Sequence, residues 1–144
     1  FTASVALLLD ELKADGVDVA FYDEAAALGP LPAGTELQLF RAVQELVANV
    51  RKHAQARRVQ AQLVYDPAES PLLRLYLEDD GVGFEEGEVP GNAIAAAKAA
   101  GGGMGLTGVR ERIESLGGTV SIRSATAGPS RGTRACLAVP VKGG

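Results

Sequence analysis

Residues 72–84 read LLRLYLEDDGVGF, an apolar alternating segment that runs into two acids and two glycines. Leucine at every second position, with polar residues between, is typical of a strand that buries one face. Residues 58–65 alternate in the same way, and a turn at 66–71 separates the two segments. The sequence therefore predicts an antiparallel hairpin whose second strand ends in an acidic, glycine-containing turn.

Helices and further strands flank this hairpin on both sides. Apolar periodicity predicts helices at 4–14, 35–54 and 106–116, and alternation predicts strands at 17–21, 119–124 and 133–139. We expect Thr35 and Gln38 to form a capping box for the long helix, and Gly117-Gly118 to end the third helix. This order of elements predicts an α+β two-layer sandwich, a mixed and mostly antiparallel sheet with helices on one face.

Composition limits the classes of protein that the chain can belong to. Its 144 residues carry a formal net charge of −4, with 47% hydrophobic and 22% charged residues. A net acidic chain is not an indiscriminate nucleic-acid binder, and 144 residues predict one globular domain spanning 1–144. No apolar run approaches the roughly 20 residues that span a membrane, so we expect no direct membrane insertion by this segment.

Two single residues add to this picture. The chain opens with Phe1, which predicts a piece of a longer protein, and we expect this piece to be cytoplasmic even if its parent is membrane-anchored. The lone Cys136 cannot form an intrachain disulfide and is predicted to be a buried strand thiol. One cysteine and one histidine cannot build a Cys/His zinc site.

A polar face runs along the long predicted helix. Glu45 and Asn49 are four residues apart and so stand on one side, and Lys52 and His53 extend the row by a turn. Such a row suits a magnesium triphosphate, because an amide oxygen can bind Mg²⁺, lysine can pair with phosphate and a carboxylate can orient an attacking group. On this helix alone, an ordinary solvated face with i, i+4 pairs is the more common explanation of the same residues.

Glycines mark two further segments. Gly81 and Gly83 follow Asp79, where they leave room for a flat heterocycle whose amino group donates to the carboxylate; an ordinary acidic turn is the alternative. Gly103 and Gly105 open the third predicted helix, whose free N–H groups form an anion site; a flexible linker with an N-cap is the alternative. Each segment alone is weak, but the three in this order are specific.

Together the segments resemble the GHKL ATPase superfamily, and most closely the catalytic ATP-binding domain of bacterial sensor histidine kinases. Four segments resemble the motifs of this family. ELVANVRKHA at 45–54 resembles the N box, and DDGVGF at 79–84 resembles the first glycine box. GMGLTGVRER at 103–112 resembles the second glycine box, and Gly132-Thr133 resembles the third. The N box and the second glycine box are also similar to those of kinases that serve LuxR/NarL-type response regulators. The likeness extends from about residue 5 to 140.

The resemblance implies the Bergerat fold, with ATP between the long helix and a lid at about 85–103. By that analogy Asp79 hydrogen-bonds the adenine amino group, and Gly81 and Gly83 form the floor of the adenine pocket. Thr133 supports Asp79, directly or through water.

The same analogy assigns the phosphate end of the site. Asn49 holds Mg²⁺, and Lys52 and His53 lie near the phosphates or ribose. Glu45 polarises the acceptor or a water, so that Glu45, Asn49 and Lys52 form the catalytic set. The phosphates are approached by the start of the third helix, at Gly103, Gly105 and Leu106.

The implied activity is that of an ATP-dependent protein histidine kinase in two-component signal transduction. The γ-phosphoryl group passes to a histidine on a separate dimerisation domain, in cis or in a dimer partner, and from there to a response regulator. His53 is not that acceptor, because it lies inside the N box. We expect no nucleic acid among the partners.

Three alternatives remain open. An anti-sigma-type serine kinase of the same superfamily would modify a protein serine, and phosphoserine is stable to acid whereas phosphohistidine is not. An ATP-hydrolysing conformational clamp would show steady turnover as an isolated domain. A non-catalytic nucleotide-binding or dimerisation module would have no need to keep Glu45, Asn49 and Asp79 together.

Overall fold

The computed structural model describes residues 1–51, 56–67, 71–81, 106–125 and 131–141. Its helices and strands alternate along the chain in the order that the periodicity predicts. They are α1 (Thr2–Ala14), β1 (Asp18–Glu24), α2 (Ala33–Asn49), β2 (Arg58–Asp66), β3 (Leu72–Asp79), α3 (Leu106–Ser115), β4 (Thr119–Ala125) and β5 (Gly132–Pro140).

The strands form one sheet in the order β1-β2-β3-β5-β4. β1 pairs with β2 in parallel, whereas the β2–β3, β3–β5 and β4–β5 pairs are antiparallel. The hairpin of β2 and β3 is confirmed, and so is a mixed, mostly antiparallel sheet. β3 lies in the middle of the order, so its carboxyl end is flanked by β2 on one side and β5 on the other.

One apolar core joins the three helices to one face of the sheet. On β3 this face carries Leu73, Leu75 and Leu77, and its last member is Asp79. The predicted apolar side of α1 is confirmed by its four buried residues, Val5, Leu8, Leu9 and Leu12. Because helices and sheet meet in a single core, the architecture is the two-layer sandwich that the sequence predicts.

The start of α2 differs from the prediction. The helix begins at Ala33 with Pro32 as its N-cap, and no side chain caps it. The capping box of Thr35 and Gln38 is therefore wrong, because Thr35 already lies inside the first turn. A proline before the first helical residue starts the helix with its fixed φ, and the carbonyl of Pro32 accepts the N–H of Glu36 at 2.9 Å. At the other end a π-helical turn at Val50–Arg51 follows Asn49.

The end of α3 is as predicted. Gly117 has φ +77°, and its N–H donates to the carbonyl of Glu114 while that of Gly118 donates to Ile113, both at 2.9 Å. This pair of bonds is a Schellman C-cap, which uses glycine because the left-handed conformation is strained for other residues.

Cys136 lies in β5 as predicted, but it is only half-buried. Alternation places its neighbours Ala135 and Leu137 in the core, so the thiol faces the helix-free side of the sheet. Burial raises the pKa of the thiol, and Arg74 and the Tyr76 hydroxyl partly oppose that rise. None of the described helices is both long and apolar enough to cross a membrane.

Candidate functional site

A buried carboxylate lies where β3 ends. Asp79 is 7% exposed and continues the core-facing row of β3. Its Oδ1 accepts the backbone N–H of Gly81 at 2.9 Å, and the backbone N–H of Thr133 also donates to the carboxylate. Burial raises the pKa of Asp79; these two hydrogen bonds oppose the rise, whereas the charges of Asp80 and Glu78 add to it. The net cost of the buried charge favours a ligand that brings a further donor.

The neighbouring carboxylate, Asp80, stabilises the turn after β3. Asp80 is exposed, and its Oδ1 accepts the backbone N–H groups of Arg57 and Arg58, each at 2.9 Å. Partial burial tends to raise the pKa of Asp80, but the hydrogen bonds from Arg58 and Arg57 outweigh it and the pKa is lowered. Asp80 thus joins the turn after β3 to the start of β2, which leaves Asp79 as the acid that faces the helices.

The start of β5 packs directly on this turn. Gly132 has φ +124°, and a Cβ at this position would overlap the carbonyl oxygen of Asp79. Beside it, Arg131 Nε donates to the carbonyl of Gly81 at 3.1 Å. The third glycine box is therefore in contact with the first, and its glycine is required by the close approach of two backbones.

Three side chains form a row across the sheet at this level. Asp79 of β3 is opposite Thr133 of β5, which is opposite Ser124 of β4, so all three share the helix-covered face. Ser124 is 3% exposed; its Oγ donates to the carbonyl of Gly132 at 2.9 Å and lies 3.0 Å from Thr133 Oγ1. Sequence reasoning missed Ser124 and Arg131, although the register of β4 with β5 would have placed Ser124 beside Thr133.

A second group of side chains joins α2 to α3. Glu45 Oε1 lies 3.4 Å from Arg112 Nε, and Arg112 Nη1 donates to Gln38 Oε1 at 2.9 Å. The other carboxylate oxygen, Glu45 Oε2, would lie 2.8 Å from a Cβ at Gly108. Gly108 of the second glycine box thus leaves space for the carboxylate of the N box.

Two polar atoms of this group have no hydrogen-bond partner in the described part of the chain. Glu45 Oε2 and Asn49 Nδ2 are both buried, and Asn49 follows Glu45 by one turn of α2. The Asn49 amide also carries a hard oxygen, and rotation about its terminal bond exchanges oxygen and nitrogen. Among the described residues no group of three or more His, Cys, Asp or Glu is placed to hold a metal ion. A divalent ion here would therefore rely on Asn49, on water and on oxygens of a bound phosphate, which is a set that Mg²⁺ accepts.

The structure thus groups part of the predicted site. Asp79, Gly81 and Thr133 lie together at the end of β3, and Glu45 and Asn49 lie on one side of α2. The remaining predicted positions fall outside the described residues: Lys52, His53, Gly83, Gly103, Gly105, the side chain of Leu106 and the lid at about 85–103.

Comparison with known proteins gives one family and several sensor kinases. Residues 34–143 match the family described as histidine kinase-, DNA gyrase B-, and HSP90-like ATPase. The chain is 34% identical over 130 residues to the signal transduction histidine-protein kinase/phosphatase UhpB of Salmonella typhimurium, which covers 90% of this chain and 22% of that protein. It is 29% identical over 136 residues to an uncharacterized sensor-like histidine kinase of Chloroflexus aurantiacus, covering 93% and 21% respectively. The chain spans about a fifth of the length of these two relatives.

Solved structures share the fold. The ATP binding domain of PrrB from Mycobacterium tuberculosis superposes with a TM-score of 0.68 at 24% identity, over 98% of this chain and 93% of that one. The mycobacterial sensor histidine kinase MprB gives a TM-score of 0.64 at 19% identity, over 99% and 97%.

Proposed function

Because the chain belongs to the histidine kinase-, DNA gyrase B- and HSP90-like ATPase family, we propose that it is the ATP-binding catalytic domain of a sensor histidine kinase. In this role it binds Mg·ATP and passes the γ-phosphoryl group to a histidine on a separate dimerisation domain. The observation that carries the proposal is the buried Asp79 carboxylate, held in place by two backbone N–H groups in a turn that packs against the third glycine box.

Asp79 recognises the base. A buried carboxylate accepts the adenine 6-amino group well, because a charged acceptor makes a strong hydrogen bond and the donor offsets the cost of burying the charge. Gly81 and Gly83 leave the space that a flat ring needs next to the backbone. Thr133 supports Asp79 through its own N–H, a direct contact made by the main chain.

Asn49 and its neighbours on the helix take the phosphates. Asn49 holds the divalent ion through its amide oxygen, and Lys52 and His53 lie close to the phosphates or ribose. Gly103, Gly105 and Leu106 bring the start of α3 to the same phosphates. Mg²⁺, when bound, neutralises phosphate charge and lowers the electrostatic cost of the transfer.

Glu45 orients the group that attacks the γ-phosphorus. Its Oε1 is taken by Arg112, which leaves the buried Oε2 without a partner in the described residues and ready to accept a hydrogen bond. In-line transfer needs a correctly aimed acceptor more than it needs covalent help from the enzyme, so a fixed carboxylate suffices. The chain thereby supplies the positions of base, phosphates and acceptor, and the acceptor histidine comes from the separate domain.

The sensor-kinase relatives also suggest the domain organisation, the signalling partner and the location of this chain. We propose that residues 1–144 form a single domain with a lid at about 85–103. We also propose that the longer kinase to which this domain belongs signals to a response regulator of the LuxR/NarL class. Phosphorylation proceeds within one chain or across a dimer. We place the domain in the cytoplasm, where ATP and a response regulator are both present.

A transfer assay with a supplied histidine-bearing dimerisation domain tests this function. With γ-labelled ATP and Mg²⁺, the chain should label that domain with an acid-labile phosphate. The Asn49→Ala variant should fold and bind nucleotide but transfer no label. Thr35→Ala, on the first turn of the same helix, is the control and should label at the parent rate. Acid-stable label, or transfer at the parent rate by Asn49→Ala, would overturn the proposal.

A further inference from the structure

We propose that Gln38 is a positioning residue for phosphoryl transfer: it holds the guanidinium of Arg112, so that Arg112 binds one oxygen of Glu45 and leaves the other free. The proposal rests on the function above, in which Glu45 orients the attacking group. Gln38 lies outside the N box and the glycine boxes, so this role follows from the packing of two helices and not from a motif.

The guanidinium of Arg112 lies between two side chains of α2. Gln38 and Glu45 are about two turns apart on this helix, which is roughly 10 Å along its axis. Arg112 reaches across from α3, where its Nη1 donates to Gln38 Oε1 at 2.9 Å and its Nε donates to Glu45 Oε1 at 3.4 Å. Arginine carries no acceptor, so the Gln38 amide accepts through its oxygen and the direction of both hydrogen bonds is fixed.

The shorter of these two hydrogen bonds goes to the amide and not to the carboxylate. Arginine commonly binds a carboxylate through two parallel N–H···O bonds, one to each oxygen. Here Glu45 receives one bond that is longer than the usual range of about 2.7–3.2 Å, and its buried Oε2 has no partner in the described part of the chain. The Gln38 amide therefore competes with the carboxylate for one rigid, planar group.

Loss of the amide removes this competition. Arg112 is then free to turn and to pair with both oxygens of Glu45, which is the arrangement that the two groups favour on their own. In that arrangement Glu45 has no free acceptor for the attacking group. Gln38 thus keeps Glu45 available, although it does not itself touch the reacting atoms.

Gln38 also lies well away from the residue proposed to hold Mg²⁺. Asn49 follows it on α2 by about three turns, or roughly 16 Å along the axis. The described contact of the Gln38 side chain is with Arg112, which is 30% exposed, so water screens the bond only in part. A change at Gln38 should therefore reach the transfer step through Arg112 and leave ATP binding nearly unchanged.

The test compares two substitutions that differ in the acceptor. Gln38→Met removes the amide oxygen at nearly the same length, whereas Gln38→Glu keeps an oxygen that can accept from Arg112. With a supplied histidine-bearing dimerisation domain and saturating Mg·ATP, we expect Gln38→Met to slow transfer by about tenfold, with a Kd for ATP within about twofold of the parent value. Gln38→Glu should keep most of the parent rate. Gln60→Met, at an exposed position on the helix-free face of β2, is the matched control and should change neither quantity.

A double substitution shows whether Gln38 acts through Arg112. In an Arg112→Ala background no guanidinium remains to be held, so adding Gln38→Met should slow transfer no further. If urea unfolding shows that Gln38→Met does not fold, Gln38→Lys must slow transfer instead, because its ammonium only donates and repels the guanidinium.

The outcomes distinguish this inference from the function on which it rests. A parent-like rate in folded Gln38→Met, or an equal loss of rate in Gln38→Glu, overturns the role of Gln38 and leaves the proposed function in place. A further tenfold loss when Gln38→Met is added to Arg112→Ala also overturns it, since that loss does not pass through the guanidinium. Absence of transfer by the parent chain overturns the proposed function, and this inference with it.

Discussion

Arg112 Nε lies 3.4 Å from Glu45 Oε1, so α3, which contains most of the second glycine box, is ion-paired to α2, the helix of the N box. Both side chains are about two-thirds buried, and the same guanidinium donates to Gln38 on α2. Arg112 thereby fixes one oxygen of the carboxylate and determines where the other can point. A shift of α3 on binding nucleotide would be transmitted to Glu45 through this contact.

Replacement of Arg112 should therefore affect transfer more than binding. We expect Arg112→Ala to slow phosphoryl transfer at saturating ATP by about tenfold or more, because a misplaced orienting group is costly, while the Kd for ATP changes only a few-fold. Arg112→Lys keeps the charge and should restore part of the rate. Arg134→Ala is the control, since Arg134 pairs with Glu78 in an exposed pair on the helix-free face and should change neither quantity. Loss of affinity with an unchanged rate would contradict the positioning role.

The contact of Gly132 with Asp79 predicts a position that tolerates no side chain. A Cβ would overlap a backbone carbonyl rather than a movable side chain, and φ +124° is strained for any other residue. We expect Gly132→Ala to lower the free energy of unfolding by about 2 kcal/mol or more. Gly34→Ala is the matched control, because nothing lies within 4 Å of its Cβ position, and it should leave stability unchanged or slightly higher. Equal stabilities of the two variants in urea unfolding would refute this contact.

The two neighbouring acids predict opposite effects of pH on stability. The pKa of Asp79 is raised by folding, so its contribution is complete below the ordinary aspartate pKa of about 4 and is lost as the pH rises through the folded value. Asp79→Asn removes that loss, and its free energy of unfolding relative to the parent should increase between about pH 4 and neutrality. Urea titrations at several pH values measure the difference.

Asp80 provides the comparison of opposite sign. Its pKa is lowered by folding, so its contribution is present above the ordinary aspartate pKa and is lost as the pH falls through the folded value. Asp80→Asn should therefore be less stable than the parent near neutrality, with a deficit that shrinks on acidification. The same sign of pH dependence in both variants would show that the two carboxylates do not occupy the different environments described here.

Periodicity was sufficient to predict the elements, because each buries one face against a single core. The buried residues of β3 alternate (Leu73, Leu75 and Leu77), and those of α1 recur at helical spacing (Val5, Leu8, Leu9 and Leu12). The spacing of apolar residues within each segment therefore identifies its buried face. The prediction for the start of α2 is wrong because Thr35 and Gln38 fit a local motif, whereas the helix begins at Ala33 after Pro32 and Arg112 binds the Gln38 side chain. Local motifs fail where a residue distant in sequence supplies the partner.

Local sequence patterns predict only those parts of the candidate site that lie within one short segment. Asp79 and Gly81 belong to one short segment, and the structure finds them hydrogen-bonded to each other. Ser124, Arg131 and Arg112 were not assigned roles, because their contacts depend on strand register and on helix packing between segments far apart in sequence. Such contacts follow from the fold and not from the spacing of residues along the chain.

The most direct test of the site compares ATP with purine riboside triphosphate, which lacks the 6-amino group, on the parent chain and on Asp79→Asn. If Asp79 accepts that amino group, the parent should prefer ATP by about ten- to hundredfold, since a buried charged hydrogen bond is lost with the analogue. In Asp79→Asn the preference should shrink to a few-fold or less. A preference for ATP that survives undiminished in Asp79→Asn would contradict the assignment of the base to Asp79.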